Sequence, residues 1–304
     1  MGCELMSKHA YLIMAHNNFD FLKKELELLD DERNDIFIHI DKKAGKIDED
    51  YIRDSVKKSK VFFIERMSVN WGGYSIAVCT LNLIKSALEN DDYRYFHLLS
   101  GADLPIKSQD YIHNFFDEHD GLEFVAFDRP VPREIDVQRV RIYYLFQDIY
   151  GRNHKVFPYV LLYAFDKLFV KIQKLLHVNR FKKERVMLQK GPEWFSITNE
   201  LAELMLKKRK WIEKHFKYTR CCDEVFLQTV LANSSRRKHI YQDGLPRETT
   251  ACLRKIDWGR GKPYTWTSNE FDELCQSKCL FARKFDPNVD QMIIDRMVEL
   301  LKKD

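Results

Sequence analysis

The chain has 304 residues, 45% of them hydrophobic and 32% charged, with a formal net charge of +4. That balance supports a buried core and excludes a disordered or low-complexity protein. A mild positive charge does not call for nucleic acid, and it admits an anionic small-molecule substrate.

The N-terminus, "MGCELMSKHA", lacks a basic start followed by a long apolar run, so no signal peptide is expected. Residues 10–16, "AYLIMAH", read as a buried strand, and 18–31 carry apolar residues at helical spacing. "DIFIHID" (35–41) and "KVFFIE" (60–65) read as two more strands, with Asp41 closing the first. "DED" (48–50) reads as a solvated face of a polar helix. A helix over 75–90 and a strand over 95–100 follow. Strands alternating with helices argue for an α/β protein with a parallel-type sheet and right-handed crossovers.

The strand at 95–100 runs into "SGADLPIKS", where Asp103 stands between Gly101 and Pro105. This is either a plain turn or a carboxylate presented at the carboxyl end of a central strand, where open α/β sheets bind ligands.

The middle of the chain differs. Residues 151–187 hold nine Lys or Arg against Asp166 and Glu184, a net of +7 that exceeds the charge of the whole chain. Over 157–176 a wide apolar face, with Leu161, Phe165, Leu168 and Ile172, runs beside Lys167, Lys171 and Lys174. Such a helix either lies on a membrane surface or packs on the protein's own core or a second subunit.

The last third resumes with a strand at 193–198, a helix over about 199–215 and another over about 223–232. Asp286-Pro287 is expected to start a closing helix as N-cap and first residue. Seven cysteines, an odd number with two adjacent, fit a disulfide framework poorly and point to free thiols in a reducing compartment. No stretch of uncharged apolar residues is long enough to span a membrane.

No GxGxxG, P-loop or HExxH is present, and no G-x-S-x-G elbow. The remaining candidates each have a bland alternative. Trp71-Gly72-Gly73-Tyr74 is a tight turn or a place where backbone and an aromatic face meet a ligand. Asp41 is a solvated strand end or a nucleoside contact. Asp223-Glu224 is an N-cap with a first-turn acid, or it holds a general base on a rigid element. Lys262 and Lys284 are solvated, or they face a diphosphate.

Taken in order, "HIDKK", "NWGG", "LLSGADLPIKS", "GPEWFSIT", "DEVFLQTVL" and "LFARKFD" resemble the core-2/I-branching β-1,6-N-acetylglucosaminyltransferase and protein xylosyltransferase family, from about His9 to Asp304. The resemblance implies one GT-A type nucleotide-sugar-binding domain over 1–304, with a mixed, mostly parallel central sheet flanked by helices, into which 151–187 is a basic amphipathic helical insertion. It implies inverting transfer of a sugar from a UDP donor to a hydroxyl of a glycan acceptor. By position, Glu224 is the implied base, and Asp41, Trp71, Asp103, Lys262 and Lys284 are donor contacts. Glu123, Arg139 and Trp258 are implied at the acceptor site. A single Asp103 stands where many GT-A enzymes carry Asp-x-Asp, so no metal ligand and no cofactor is expected. Together with the basic insertion, the resemblance suggests a bacterial cytoplasmic enzyme at the inner face of a membrane, moving N-acetylglucosamine onto a lipid-linked glycan in surface-polysaccharide assembly. A xylosyl- or other hexosyltransferase of the same fold is the first alternative, and a non-catalytic glycan- or nucleotide-binding protein the second.

Overall fold

The computed structural model describes residues 8–241, 249–261 and 263–302. Six strands, β1 (His9–Ala15), β2 (Asn34–Ile40), β3 (Lys60–Phe63), β4 (Tyr95–Ser100), β6 (Phe124–Val125) and β7 (Phe195–Thr198), form one sheet in the order β3-β2-β1-β4-β7-β6. A smaller sheet joins β5 (Asp103–Pro105), β9 (Phe281–Arg283) and β8 (Arg254–Ile256) in that order. The β1–β2, β1–β4 and β2–β3 pairs are parallel, and β7 runs antiparallel to both its neighbours. The expected mixed, mostly parallel sheet flanked by helices is therefore present.

Alternation along the strands explains the layering. Ala10, Leu12, Phe37, Phe96 and Leu98 point to one face of the sheet. Tyr11, Ile13, Ile36, Ile38, Tyr95 and Leu99 point to the other. Both sets are buried, as near-continuous apolar strands require. The helix Ser75–Leu88 packs Leu81 and Ile84 into the first face with Leu201 of the helix Asn199–Lys207. Leu22 and Leu26 of the helix Phe19–Leu29 cover the second with Ile112 and Phe116 of the helix Gln109–Glu118. The helix Gln291–Leu301 closes a third apolar cluster against Leu104, Trp266 and Phe285.

Three sequence expectations are corrected. The region expected as one helix over 199–215 is two, Asn199–Lys207 and Arg209–Phe216. Asp223 caps no helix: it lies in a tight turn, Cys222–Glu224, and the helix after it starts at Phe226. The closing helix starts after Asp290, whose carboxylate accepts from the Ile293 N–H, while Asp286 serves a separate turn by accepting from the Asn288 N–H. Its short side chain satisfies the turn locally, which lets the helix begin later.

Cys79, Cys221, Cys222, Cys275 and Cys279 carry free thiols. Among the described residues no helix is long and apolar enough to cross a membrane.

Candidate active site

The parallel strands β1, β2 and β4 end together, at Ala15, Ile40 and Ser100. The Gly101 N–H donates to the Met14 carbonyl, extending the pairing with β1, and the chain turns just after, where the Ala102 N–H donates to the Ser100 carbonyl (2.6 Å). Asp103 then opens β5 directly opposite Arg283 of β9. The Asp103 carboxylate is buried, and both of its oxygens accept hydrogen bonds. It accepts from the Ser100 N–H (2.8 Å), from the Ser100 hydroxyl (3.2 Å) and from Arg283 Nη1 (2.8 Å). Arg283 also donates to the Ser100 hydroxyl and lies over the Trp194 ring, its guanidinium carbon 4.6 Å from the centroid.

Glu193 and Trp194 directly precede β7, which runs antiparallel to β4, so they fall at the same end of the sheet as Ser100. The Gly191 N–H donates to the Glu224 carbonyl (2.9 Å), and Gln228 Nε2 donates to the Pro192 carbonyl (2.6 Å). A Cβ at Gly191 would stand 1.9 Å from the Ala126 carbonyl oxygen, so only glycine permits this approach. These bonds tie the "GPEW" segment to the turn that carries Asp223 and Glu224.

Glu224 Oε2 accepts from Arg139 Nη2 at 2.7 Å, and Lys190 Nζ lies 3.4 Å from the same oxygen. Lys190 also pairs with Asp128. Burial opposes the charge on Arg139, and the ion pair with Glu224 outweighs it, leaving its pKa raised. Two further carboxyls stand nearby. Burial pushes both Glu193 and Asp223 above the ordinary carboxylate range. For Glu193, the charges of Asp103 and Glu224 add to burial and Arg283 opposes it. For Asp223, Glu193 and Glu224 add to burial, and its buried Oδ1 has no hydrogen-bond partner. A carboxyl in that position is favoured as the neutral acid.

The other sequence candidates fall around this centre. Asp41, just beyond β2, accepts from the Lys43 N–H (2.8 Å) and the Val69 N–H (3.3 Å), and so braces the segment leading to Trp71. Trp71 is half-exposed, with the Arg152 guanidinium carbon 5.0 Å from its ring centroid. Its loop meets the Glu224 turn through the Cys221 N–H, which donates to the Gly72 carbonyl (2.8 Å). Lys284 follows Arg283, partly exposed, with Nζ 3.9 Å from Asp286. His16, at the end of β1, connects the two sides. Burial lowers its pKa, Asp41 opposes this, and Lys43, Arg283 and Lys284 reinforce it. Trp258 is exposed in the loop after β8. Lys262 lies outside the described residues.

Glu123 does not join the group. It is fully buried and accepts from the Thr198 N–H (3.0 Å), the Thr198 hydroxyl (2.7 Å) and Arg236 Nε (2.8 Å), which makes it a structural ion pair with no face toward a ligand. Arg139, expected at the acceptor, pairs with Glu224. Sequence reasoning passed over Arg283, Glu193 and Lys190. All three adjoin or lie within motifs already singled out, "LFARKFD" and "GPEWFSIT", but only the strand register shows what they face.

One end of the sheet thus presents a carboxylate braced by two cations, and across Glu193 a partly buried arginine followed by a lysine. Such a set can take a proton from a nucleophile on one side and meet negative charge on a leaving group at the other. Among the described residues no group of three or more His, Cys, Asp or Glu is arranged to hold a metal ion.

Comparison with known proteins gives the context. A family model described as "Branch: Core-2/I-Branching enzyme" matches residues 9–278. Xylosyltransferase 1 of Homo sapiens is 24% identical over 287 residues, which cover 86% of this chain and 27% of the human protein. Xylosyltransferase 2 of Rattus norvegicus is 24% identical over 309 residues, covering 94% of this chain and 33% of the rat protein. The chain spans about a third of the length of these relatives. Among solved structures, mouse xyloside xylosyltransferase 1 in its apo form aligns with a TM-score of 0.35 and 10% identity, over 90% of this chain and 96% of that one. Staphylococcus aureus TarS aligns with a TM-score of 0.27 and 16% identity, over 37% of this chain and 20% of that one.

Proposed function

Because the chain belongs to the Core-2/I-branching enzyme family, we propose that it transfers a sugar from a UDP donor to a hydroxyl of a glycan acceptor, with inversion at the anomeric carbon. The observation that carries this reading is Glu224, held at 2.7 Å by Arg139 at the same sheet end as Arg283 and Lys284. The acceptor hydroxyl attacks C1 of the donor sugar and gives its proton to the Glu224 carboxylate. The C1–O bond to the diphosphate breaks, and the charge left on UDP meets Arg283 and Lys284. One base and one displacement invert the centre.

Asp103 positions Arg283. Trp71 offers a stacking face to the uracil, and Asp41 holds the Trp71 segment in place. Trp258 is the exposed aromatic suited to an acceptor sugar. Transfer without a metal ion is part of this proposal, since the carboxylate that would bind the ion already accepts from Arg283 and Ser100.

The donor is proposed as UDP-N-acetylglucosamine, in surface-polysaccharide assembly. UDP-xylose is the second reading, favoured by the relatives named xylosyltransferases. The exposed basic and apolar helix Tyr159–Leu175 favours an acceptor held at a lipid surface. A panel of UDP-sugars, assayed for UDP release with and without glycan acceptors, tests the proposal and separates the two donors. Binding of UDP without release from any donor and acceptor pair would leave a nucleotide-binding protein and overturn the transferase reading.

A further inference from the structure

Surface helices of globular proteins ordinarily turn their apolar residues inward. The helix Tyr159–Leu175 does the reverse. Its two buried residues are polar, Asp166 and Gln173. They are seven positions apart, two turns, and share a face. Asp166 accepts from the N–H groups of Leu145 and Phe146 (3.1 Å each) and from the Tyr150 hydroxyl (3.1 Å). The Gln173 amide accepts from the Tyr143 N–H and donates to the Tyr143 carbonyl, both at 2.8 Å.

On the opposite side Leu161, Phe165, Leu168, Ile172 and Leu175 follow i, i+4, i+7, i+11 and i+14, and so form one stripe. Each is between 44% and 79% exposed. Lys167, Lys171 and Lys174 run along one flank of the stripe and are exposed as well. Among the described residues nothing buries this stripe: the helix is fastened by its polar residues, with Leu162, Phe169 and Val170 half-buried beside them and the stripe outward.

We infer that this face docks on an anionic lipid surface. An exposed stripe of this length needs an apolar partner. A second copy of the same face would set a segment of nine Lys or Arg and two acids against its equal, and one of those acids, Asp166, is turned inward and occupied. Lipid supplies both needed features. Acyl chains receive the leucines and phenylalanine, and acidic headgroups receive the lysines, whose long stems reach back to the interface. The docked helix would also hold the site at that surface. The loop that anchors Asp166 continues into Gln147, which donates to the Trp71 carbonyl (3.0 Å), and Asp148, which accepts from the Ser75 N–H (3.0 Å).

The experiment is co-sedimentation of the full chain with vesicles of phosphatidylcholine alone or of phosphatidylcholine with phosphatidylglycerol. Docking predicts binding to the second and not the first, weakening as salt is raised. The triple variant Lys167→Glu, Lys171→Glu, Lys174→Glu should lower vesicle affinity at least about tenfold. Phe165→Ser with Leu168→Ser should lower it as well. All five side chains are exposed, so unchanged circular dichroism and melting temperature are expected and show that the fold is intact. Vesicle binding needs no donor sugar and succeeds or fails independently of transfer. A wild-type chain that stays in the supernatant with phosphatidylglycerol vesicles overturns the inference. So does a triple variant that binds them as well as wild type, or a dimer that the Phe165 and Leu168 changes dissociate while vesicle binding persists.

Discussion

Arg139 Nη2 stands 2.7 Å from Glu224 Oε2, joining the helix Glu134–Arg141 to the turn Cys222–Glu224. The guanidinium is fixed on a helix and the carboxylate on a turn tied by backbone bonds to Gly191 and Gly72–Cys221, so Glu224, the proposed base, is held from three directions. Glu224→Gln keeps the shape and removes the base. Turnover should fall by about 10²–10⁴-fold with UDP affinity little changed. Arg139→Met should lower kcat while leaving donor KM nearly constant, because it touches the base and not the diphosphate. Steady-state kinetics with the best donor checks both, and near-wild-type turnover of Glu224→Gln would remove Glu224 from its role.

A second prediction concerns acid stability. His9, His97 and His113 are buried together: His9 stacks on His113 with centroids 4.1 Å apart, and His97 Nε2 lies 3.1 Å from His9 Nδ1. Burial holds His113 down to about 4, with Arg33 adding to the effect, and holds His9 and His97 well below their ordinary value. A lowered histidine means the unfolded chain binds the proton more tightly. The stabilisation is therefore present above about pH 6.5 and is lost as pH falls toward about 4. For His113 alone this amounts to about 3 kcal/mol. His113→Gln, able to keep the bond to Asn34, should flatten the acid side of a plot of melting temperature against pH. An unchanged acid slope would refute this.

These histidines show where sequence reading stops. The strands β1, β2, β3 and β4 were legible because apolar runs of four to seven residues alternate with helical patterns. The motifs that carry Asp103 and Glu224 fall at one end of the sheet, joined through the Gly191 segment. Pairing across the sheet was not legible. Arg283 meets Asp103 only because three-residue strands β5 and β9 pair in one register, and so short a strand carries no periodicity of its own. Glu123 is placed at the acceptor by the resemblance alone, and nothing in the sequence signals its partner Arg236, more than a hundred positions away. The apolar face of 157–176 was visible, but its direction depends on Asp166 and Gln173 finding partners in 143–150, and a helical pattern says nothing about which side faces inward.

At higher pH the cluster behind Glu224 should act in the opposite sense to the histidines. Glu193 and Asp223 have raised pKa values, from burial first and from neighbouring carboxylates next. A raised carboxyl binds its proton better in the folded chain, so its contribution is present below the ordinary carboxylate value and is lost as pH rises through the folded one. Glu193→Gln imitates the protonated form. Between about pH 5 and about pH 9 the melting temperature of the variant should fall less than that of wild type. Burial and the Glu224 charge still raise Asp223 in that variant, so the remaining slope should diminish further with Asp223→Asn. A Glu193→Gln curve parallel to wild type would show that Glu193 is already ionised in the folded protein.

The last prediction is that transfer persists without a divalent metal. Departure of UDP builds charge on the diphosphate, and something positive must meet it. A metal ion would need oxygen ligands, usually including one or two carboxylates. Asp103 is the carboxylate in position, yet its oxygens already accept from the Ser100 N–H at 2.8 Å and from Arg283 Nη1 at 2.8 Å. An ion at Oδ1 would have to compete with Arg283 for that oxygen. Arg283 itself, ordered by Asp103 and by the Trp194 ring, is a fixed cation in a mostly buried place, where its charge acts through less solvent screening than at the surface. Excess EDTA should leave the transfer rate unchanged, and added Mn²⁺ should not raise it. Arg283→Ala should lower turnover by about 10²–10³-fold, and Lys284→Ala should lower it in the same direction. Asp103→Asn should lower it too, through a loosened Arg283, and its loss should not be restored by Mn²⁺. Activity abolished by EDTA and recovered with Mn²⁺ would place the ion, and not Arg283, opposite the leaving group.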